Sequence, residues 1–388
     1  MRTNASGSDR VVAPTCAAEV ADILRRASRE GTPVAVRGGG TSGRIAPDPG
    51  ILIETRALQD PVDHSPQDLV ATFGAGCTLA RAEALVAAHG QELPLSAPHP
   101  ERATLGGIVA GAAEGPTLHA FGPVRDQVLG LEIVHGDGRV TKTGGRVVKN
   151  VTGYDLVRLC TGSRGRLGVI THLHLRLRPR PEARGAVVFG GADPGRALEA
   201  AGILRKLGLP LFALHVTGGI EDLRALSGHP FQVIASLRGP RRLVEALRRE
   251  APSSLTGLVR LDVGDDDLTG RLQTPFDEAS EALRLSVPPL SGTNVFSALR
   301  ELPLDPSSWV LDVETGRLGL SGLGTALGDP GLRDRLPGVL RKAGARILRW
   351  PSDLEAPPPP SERSTGGVEE KILRAFDPSG ILRGGRTP

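Results

Sequence analysis

The sequence predicts an α+β protein of more than one domain, and three observations predict it. The chain has 388 residues, more than one hydrophobic core normally organises. Its first half alternates short apolar strands with amphipathic helices around glycine-rich turns, as an α/β or α+β nucleotide-binding domain does. After RPRPEARG (Arg178–Gly185) a second, smaller set of strands and helices begins.

Thr15–Arg29 carries Val20, Ile23, Leu24 and Ala27 at i, i+3, i+4 and i+7, the apolar face of an amphipathic helix. Val34–Val36 reads as a short buried strand that ends at glycines. GILIET (Gly50–Thr55) is a second strand. DLVATFGAGCTLARAEALVAAHG then gives a strand at Leu69–Gly74, a glycine turn and a helix from Leu79 to Ala88. Strands follow at Val128–Val134 and Val169–Leu177. Beyond Gly185, strands are expected at Ala186–Phe189, Phe212–Val216, Phe231–Leu237, Trp309–Val313, Arg317–Leu320 and Ile347–Trp350. Helices are expected at Gly195–Leu207, Arg241–Arg249, Pro275–Leu283 and Leu332–Ala343. The four successive prolines of EAPPPPSER (Glu355–Arg363) make an extended linker before a last helix, Gly367–Phe376. No internal repeat is visible in the residues. The expected boundaries are 1–181 for the first domain, with two subdomains split near 55–65, then 182–354, a linker over 355–365, and a C-terminal segment over 366–388.

The formal charge of +4 and pI near 9.3 could point to nucleic acid, but only five of the 47 basic residues are lysines. No dense basic block with interleaved aromatics appears, so the arginine excess reads as composition bias rather than a phosphate-binding face. Cys16, Cys77 and Cys160 are far apart with no CxxC, which excludes a zinc ribbon or an iron–sulfur cluster. Isolated thiols fit a reducing compartment. No segment reaches the roughly 18 continuous apolar residues of a membrane span, and MRTNASGSDR has no signal-peptide run. The expectation is a soluble, cytoplasmic protein.

In VAVRGGGTSGRI (Val34–Ile45) a strand runs into three consecutive glycines. Consecutive backbone N–H groups without Cβ atoms can close around a phosphate oxygen, so a phosphate or pyrophosphate is the expected ligand. The glycines alone fit an ordinary strand-to-loop turn equally well. Neither GxxxxGK[ST] nor a GxGxxG opening a helix is present, which weakens P-loop and Rossmann readings. Four further stretches add weight: SAPHPERATLGGIVAGAAEG (Ser96–Gly115), FGPVRDQVLGLEIVHGDGRV (Phe121–Val140), GGRVVKNVTGYDLVRLCTGSRGRLGVITHLHLRLRPRP (Gly144–Pro181) and AFDPSGILRGGR (Ala375–Arg386).

With TGYDL at Thr152–Leu156, GSRGRLGVIT at Gly162–Thr171 and FDPSGI at Phe376–Ile381 in this order, the chain resembles the FAD-binding flavoproteins of the vanillyl-alcohol oxidase and p-cresol methylhydroxylase type. Within them it looks like the FAD-binding subunits of bacterial glycolate oxidases. The likeness covers Thr15–Pro181 and the last dozen residues; the middle matches in length and texture only. It implies an FAD-binding domain of two α/β subdomains, a smaller ferredoxin-like α+β cap, and a C-terminal segment that returns to the FAD domain. It further implies that Arg37, Gly38, Gly39, Gly40, Thr41, Ser42 and Gly43 hold the FAD pyrophosphate through their amides. Thr104, Gly106 and Gly107 would form the second wall, with Ser96 and Pro98 just before it. Gly162, Ser163, Gly165, Gly168, Val169 and Ile170 would line the adenosine and isoalloxazine stretch, the last two through main-chain atoms. Amide–phosphate bonds of roughly 1.5–3 kcal/mol each would together reach the roughly 8–12 kcal/mol of micromolar to nanomolar binding. Covalent attachment in such proteins uses a His, Cys or Tyr; the first loop has Thr41 and Ser42 instead, so dissociable FAD is expected.

Departures from the family pattern concern catalysis. The usual GSEGTLG is Gly162-Ser163-Arg164-Gly165-Arg166-Leu167-Gly168, with Arg164 in place of an acid. Phe121 lacks a common hydroxyl, and the usual terminal Asn-Pro-Gly-Arg is Arg383-Gly384-Gly385-Arg386. Relatives that oxidise D-2-hydroxy acids carry histidines and a carboxylate late in the cap, because the substrate carboxylate needs a cation and its hydroxyl a proton acceptor. Here no histidine lies beyond His229. His172 and His174 share a strand face, where a solvated strand is the expectation and a bridging metal the alternative; no carboxylate is near in sequence. His119, Lys149 and Tyr154 are the remaining catalytic candidates; a solvated loop residue is the expectation for His119, while Lys149 and Tyr154 read equally as a surface lysine and a packed aromatic. Asp265-Asp266-Asp267 reads as a solvated loop, and Asn150-Val151-Thr152 has no meaning as a sequon inside a cell.

The resemblance implies a subunit of a glycolate-oxidase-like hetero-oligomer that assists oxidation of a 2-hydroxy acid such as glycolate to glyoxylate. A paralogous FAD catalytic subunit and an iron–sulfur subunit would be its partners, with no nucleic acid and at most peripheral membrane contact through them. The alternatives are a self-sufficient FAD-dependent dehydrogenase of another hydroxy acid or alcohol, and a flavin-free scaffold.

Overall fold

A computed structural model describes residues 10–41, 49–113, 115, 117–145, 154–255, 257–264, 268, 272, 282–288, 292–302, 304, 306–349 and 367–384. They fall into two compact units, Met1–Gly115 with Phe121–Arg180 and Pro360–Thr387, and Pro116–Ala120 with Pro181–Pro359. Among the described residues no helix is long and apolar enough to cross a membrane. The linker at 355–363, Asp265-Asp266-Asp267 and Asn150-Val151-Thr152 lie outside the described residues.

In the first unit, helix Ala17–Glu30 buries Val20, Leu24 and Ala27 of the predicted face together with Ala21, leaves Ile23 half-buried, and stops at Gly31 in a left-handed conformation, φ 64°. Strands β1 (Arg10–Val12), β2 (Val34–Arg37) and β3 (Ile51–Glu54) form a parallel sheet in the order β1-β3-β2. Then come β4 (Val62–Ser65), β5 (Val70–Gly74), β6 (Gln91–Glu92), β7 (Val128–Val134), β8 (Val140–Gly144), β9 (Val169–Arg176) and β10 (Arg178–Pro179). Five of these make an antiparallel sheet in the order β4-β5-β9-β7-β8, while β6 pairs with β10. One face of the five-stranded sheet packs Phe73, Leu131, Leu173 and Leu175 against Ala82 and Val86 of helix Leu79–Ala87 and Leu105, Ile108 and Val109 of helix Leu105–Gly111. Val134 and Val169, at the ends of β7 and β9, instead join Leu24, Val34 and Ile53 in the core of the parallel sheet. That shared core fixes β2, and so the loop leaving it, against the start of β9.

The second unit contains β11 (Ala183–Gly191), β12 (Ala213–Gly218), β13 (Phe231–Gly239), β14 (Val259–Val263), β15 (Leu283–Ser286), β16 (Ser308–Asp312), β17 (Arg317–Ser321) and β18 (Arg346–Arg349). They form one antiparallel sheet in the order β14-β11-β13-β12-β16-β17-β15-β18. Helices Pro194–Lys206, Arg241–Glu250, Gly292–Glu301 and Pro330–Lys342 bury Leu204, Leu247, Leu299 and Leu340 on one face of it. The topology corrects the absence of a repeat in the residues. Apart from the added helices Glu221–Ser227, between β12 and β13, and Gly324–Leu327, after β17, β11 to β14 and β15 to β18 each follow strand–helix–strand–strand–helix–strand, each with the spatial order fourth, first, third, second, which is the ferredoxin-like motif twice. The halves join through the β12–β16 pair. Their likeness lies in the placing of apolar positions rather than in residue identity, so the sequence did not display it. The helix expected over Pro275–Leu283 mostly lies outside the described residues, and Leu283 itself opens β15 because it pairs with Leu320 of β17.

Candidate functional site

β2 delivers the glycine loop. Val34 and Ala35 are buried against the neighbouring strand and helix, and the chain leaves the sheet after Arg37. Arg37 is held sideways by Glu54, its register partner on β3, which accepts from Nε at 3.0 Å and also from Nη2. Among the described residues no carbonyl or side chain accepts from the amides of Gly38, Gly39, Gly40 or Thr41. A Cβ on Gly38 would stand 2.4 Å from Thr104 Oγ1 and 3.6 Å from Gly107 Cα; on Gly39 it would stand 1.9 Å from the carbonyl oxygen of Arg102. The loop backbone therefore lies flush on 102–107 with no space for a side chain between them. Gly40 takes φ 68° in open space. Ser42 and Gly43 lie outside the described residues.

Thr104 caps helix Leu105–Gly111, its hydroxyl accepting from the amide of Gly107 at 3.3 Å. The amides of Leu105 and Gly106 donate to the carbonyls of Cys77 and Ala75, both at 2.8 Å. A Cβ on Gly106 would meet that of Ala75 at 2.7 Å. Thr104, Gly106 and Gly107 thus form a wall that the glycine loop touches, but the Gly106 amide is already used, and the free donors sit in Gly38–Thr41. Half-buried Ser96 and buried Pro98 lie in the segment leading to this wall, just before His99, which turns with φ 47°.

The third segment docks on the far end of the same helix. The amides of Gly162 and Arg164 donate to Val109 and Ala110 at 3.0 and 2.9 Å, and that of Ser163 to Cys160 at 3.1 Å. Gly162 (φ 82°), Arg164 (φ 53°) and Gly165 (φ 80°) turn the chain so that Gly165 packs beside Val36, two residues before Gly38. Gly168 takes φ 147° where a Cβ would meet the carbonyl of Val134 at 2.4 Å. Val169 and Ile170 start β9 with their side chains in the cores, paired to Val134 and Ile133 on β7. The β5 ladder reaches only to Gly74 opposite His172, so main-chain atoms of Val169 and Ile170 have no β5 partner on that edge.

The catalytic candidates do not gather there. His119 is exposed in the short helix Leu118–Phe121, whose first three residues belong to the second unit. In that unit its charge opposes protonation of His215. His215 is buried opposite Asp312 on the neighbouring strand, and burial first, then His119, holds its pKa below the usual value, with Asp312 acting the other way. Asp312 Oδ1 caps the β16–β17 turn by accepting from the amides of Glu314 and Thr315 at 3.0 and 3.1 Å. Tyr154 is 92% exposed, and Lys149 lies outside the described residues. His172 and His174 require a correction, for they do not stand on a solvated strand face but are half-buried and partnered. β7 supplies the carboxylate the local sequence lacks: Glu132, directly opposite His172, accepts from its Nδ1 at 3.2 Å and from Thr171 Oγ1 at 2.7 Å, and pairs with Lys142 Nζ at 3.4 Å. His174 Nδ1 lies 2.8 Å from Thr72 Oγ1. The hydrogen bond from His172 is the largest cause holding the Glu132 carboxyl down at about 2. Among the described residues no group of three His, Cys, Asp or Glu could hold a metal.

Residues 8–144 match the family described as FAD binding domain. That stretch, which holds the glycine loop and the second wall, is similar to FAD-binding domains of the p-cresol methylhydroxylase type. The chain is 39% identical over 175 residues to a D-lactate dehydrogenase of Archaeoglobus fulgidus, covering 44% of this chain and 39% of that protein. It is 40% identical over 162 residues to the glycolate oxidase subunit GlcE of Escherichia coli, covering 41% and 46%. It is 31% identical over 179 residues to the glycolate oxidase subunit GlcD of Bacillus subtilis, covering 45% and 38%. Each match thus spans less than half the length of the relative. A solved alkyldihydroxyacetonephosphate synthase shares the fold over 97% of this chain and 76% of its own, with a TM-score of 0.75 at 15% identity.

Proposed function

We propose that this chain is an FAD-dependent oxidoreductase subunit acting on the CH–OH group of a 2-hydroxy acid, in a glycolate-oxidase-like complex. The observation that carries the cofactor reading is the seat of Gly38 and Gly39 on Thr104 and Arg102, with no acceptor among the described residues for the amides of Gly38–Thr41. Gly38–Thr41 would hold the pyrophosphate noncovalently, since amides that converge without Cβ atoms favour an anion. Gly162–Ile170 would line the rest of the dinucleotide. FAD, when bound, supplies the acceptor for the two electrons leaving the alcohol carbon.

The chain's own residues supply less for the alcohol. No histidine follows His229, and of the two on β9, His172 pairs with Glu132 and His174 with Thr72. A larger paralogue with an intact histidine site would therefore oxidise the hydroxy acid, and an iron–sulfur partner would carry electrons onward. A self-sufficient dehydrogenase is the second reading, favoured by His119 lying beside the buried His215 and Asp312. The test is anaerobic mixing of the purified, FAD-loaded chain with glycolate and D-lactate. The expected result is a visible flavin band that stays oxidised until the partner subunits are added. Bleaching by the chain alone would refute the assisting role and support the second reading.

A further inference from the structure

The C-terminal stretch AFDPSGILRG (Ala375–Gly384) ends between the strand that carries the glycine loop and the 162–168 segment. Helix Val368–Phe376 stops at Asp377, whose carboxyl side chain is buried. Its amide donates to Leu373 at 2.7 Å, and its Oδ2 accepts from the amide of Leu382 at 2.7 Å, five residues on. This one carboxylate closes Asp377–Leu382 into a loop, with Gly380 at φ 63° making the reversal. Asp377 is seated from below by the end of β7: the Gly136 amide donates to Phe376 at 2.9 Å, and a Cβ on Gly136 would stand 2.3 Å from Asp377 Oδ1.

The loop has a consequence at the glycine site. Leu382 is fixed so that the tail lies parallel to Val34, the first residue of β2. Val34 donates to Ile381 at 2.8 Å and accepts from Arg383 at 2.7 Å. Ile381 is buried in the core under β2. Two residues later Gly384 fits against the third segment, where a Cβ would stand 2.2 Å from Arg166 Cγ, 2.8 Å from the carbonyl oxygen of Arg164 and 3.0 Å from the amide of Arg166. Arg166 is tied back to the C-terminal helix by Glu369 at 2.8 Å. Eight residues, 377–384, thus touch both the strand that carries Gly38–Thr41 and the loop that carries Gly162–Gly168.

We propose that this tail is a clasp for the cofactor: Asp377 is a positioning residue that, through Leu382, holds β2 and the 164–166 turn at the separation that FAD requires. This rests on the FAD reading above. The clasp acts on how tightly the dinucleotide is held rather than on whether the unit folds, because the five-stranded sheet and its helices do not depend on the tail for their hydrogen bonds.

The test measures FAD affinity and fold stability separately on the full chain. Apo-protein is titrated with FAD by flavin fluorescence, and unfolding is followed by circular dichroism without FAD. Asp377→Ala should weaken FAD about 10- to 100-fold, since it frees the Leu382 amide. Asp377→Asn, which keeps an oxygen acceptor, should recover most of that loss. Gly384→Ala should weaken FAD about tenfold by a different route, pushing on backbone at Arg164 and Arg166. Arg374→Ala, which removes an exposed ion pair with Glu370 inside the helix, should leave affinity unchanged. The clasp is overturned if Asp377→Ala and Gly384→Ala bind FAD as the wild type does, or if the apo-protein melting temperature falls in proportion to affinity across the set. Wild type that takes up no FAD at all would overturn the cofactor reading and the clasp with it, so the two failures are distinct.

Discussion

Gly39→Ala is the sharpest probe of the glycine loop. Its Cβ would be built 1.9 Å from the carbonyl oxygen of Arg102 and 2.7 Å from the carbonyl carbon, both backbone atoms that cannot rotate away. Native packing tolerates no such approach, so the loop must lift by about 1 Å, at a cost of about 1–3 kcal/mol in stability. A hydrogen bond lengthened by about 1 Å is no longer one. With one or two charge-assisted amide bonds lost, binding should weaken by about 3 kcal/mol, or about 100-fold in Kd. Gly40→Ala is the control. Gly40 has φ 68° and, among the described residues, nothing within 4 Å of its would-be Cβ, so the substitution costs only left-handed strain, about 1–2 kcal/mol. Its FAD affinity should change less than about fivefold, because the loop need not move. Fluorescence titration of the apo-proteins with FAD, beside their melting temperatures, reads both quantities. If Gly39→Ala binds FAD as the wild type does, or if Gly40→Ala loses as much, the loop does not act by close seating on 102–107.

Three other outcomes follow from the same geometry. Acid or heat should release free flavin from the loaded protein; colour remaining with the denatured chain would mean a covalent link. Glu132→Gln should destabilise by roughly 1.5–3 kcal/mol at neutral pH, through loss of the charged acceptor for His172 and Thr171. Since the folded carboxyl titrates near 2 against an ordinary 4.5, its contribution is present above 4.5 and lost as pH falls toward 2. The gap between wild-type and Glu132→Gln melts should therefore be open at pH 7 and close only near pH 2, and a gap as wide at pH 2 as at pH 7 would contradict the assignment. With burial pushing Cys160 up to about 12 and Cys77 upward, only exposed Cys16 should react with a thiol reagent in the native state. More than one equivalent at mild pH would show that the buried sites open.

What could be read from the residues and what could not divides along a physical line. Glycines at 38, 39, 106 and 168 were legible because each marks a place where a neighbouring chain stands too close for a Cβ: the Thr104 hydroxyl at Gly38, Ala75 at Gly106, and backbone carbonyls at Gly39 and Gly168. Helix Leu105–Gly111 was not legible as a helix: LGGIVAG has three glycines, each costing about 1 kcal/mol of helix propensity, and it forms because Thr104 caps it and Leu105, Ile108 and Val109 are buried. Edge strands β4 (VDHS) and β8 (VTKTG) were silent because they pair on one side only and need little apolar patterning. The Glu132–His172 pair was invisible for another reason. Its members stand forty residues apart and meet only through the β7–β9 register, with Thr171 bulged beside them. Asp377 shows the limit from the opposite side: its motif was plain in the sequence as a family mark, but the reason for a buried carboxylate there appears only when Leu382 is seen folding back to Val34. Local chemistry writes itself into a sequence wherever one residue type alone will fit. Chemistry made by register between distant strands does not, so the alcohol-side site, if one exists in this chain, has to be sought across strands, as with His215 and Asp312.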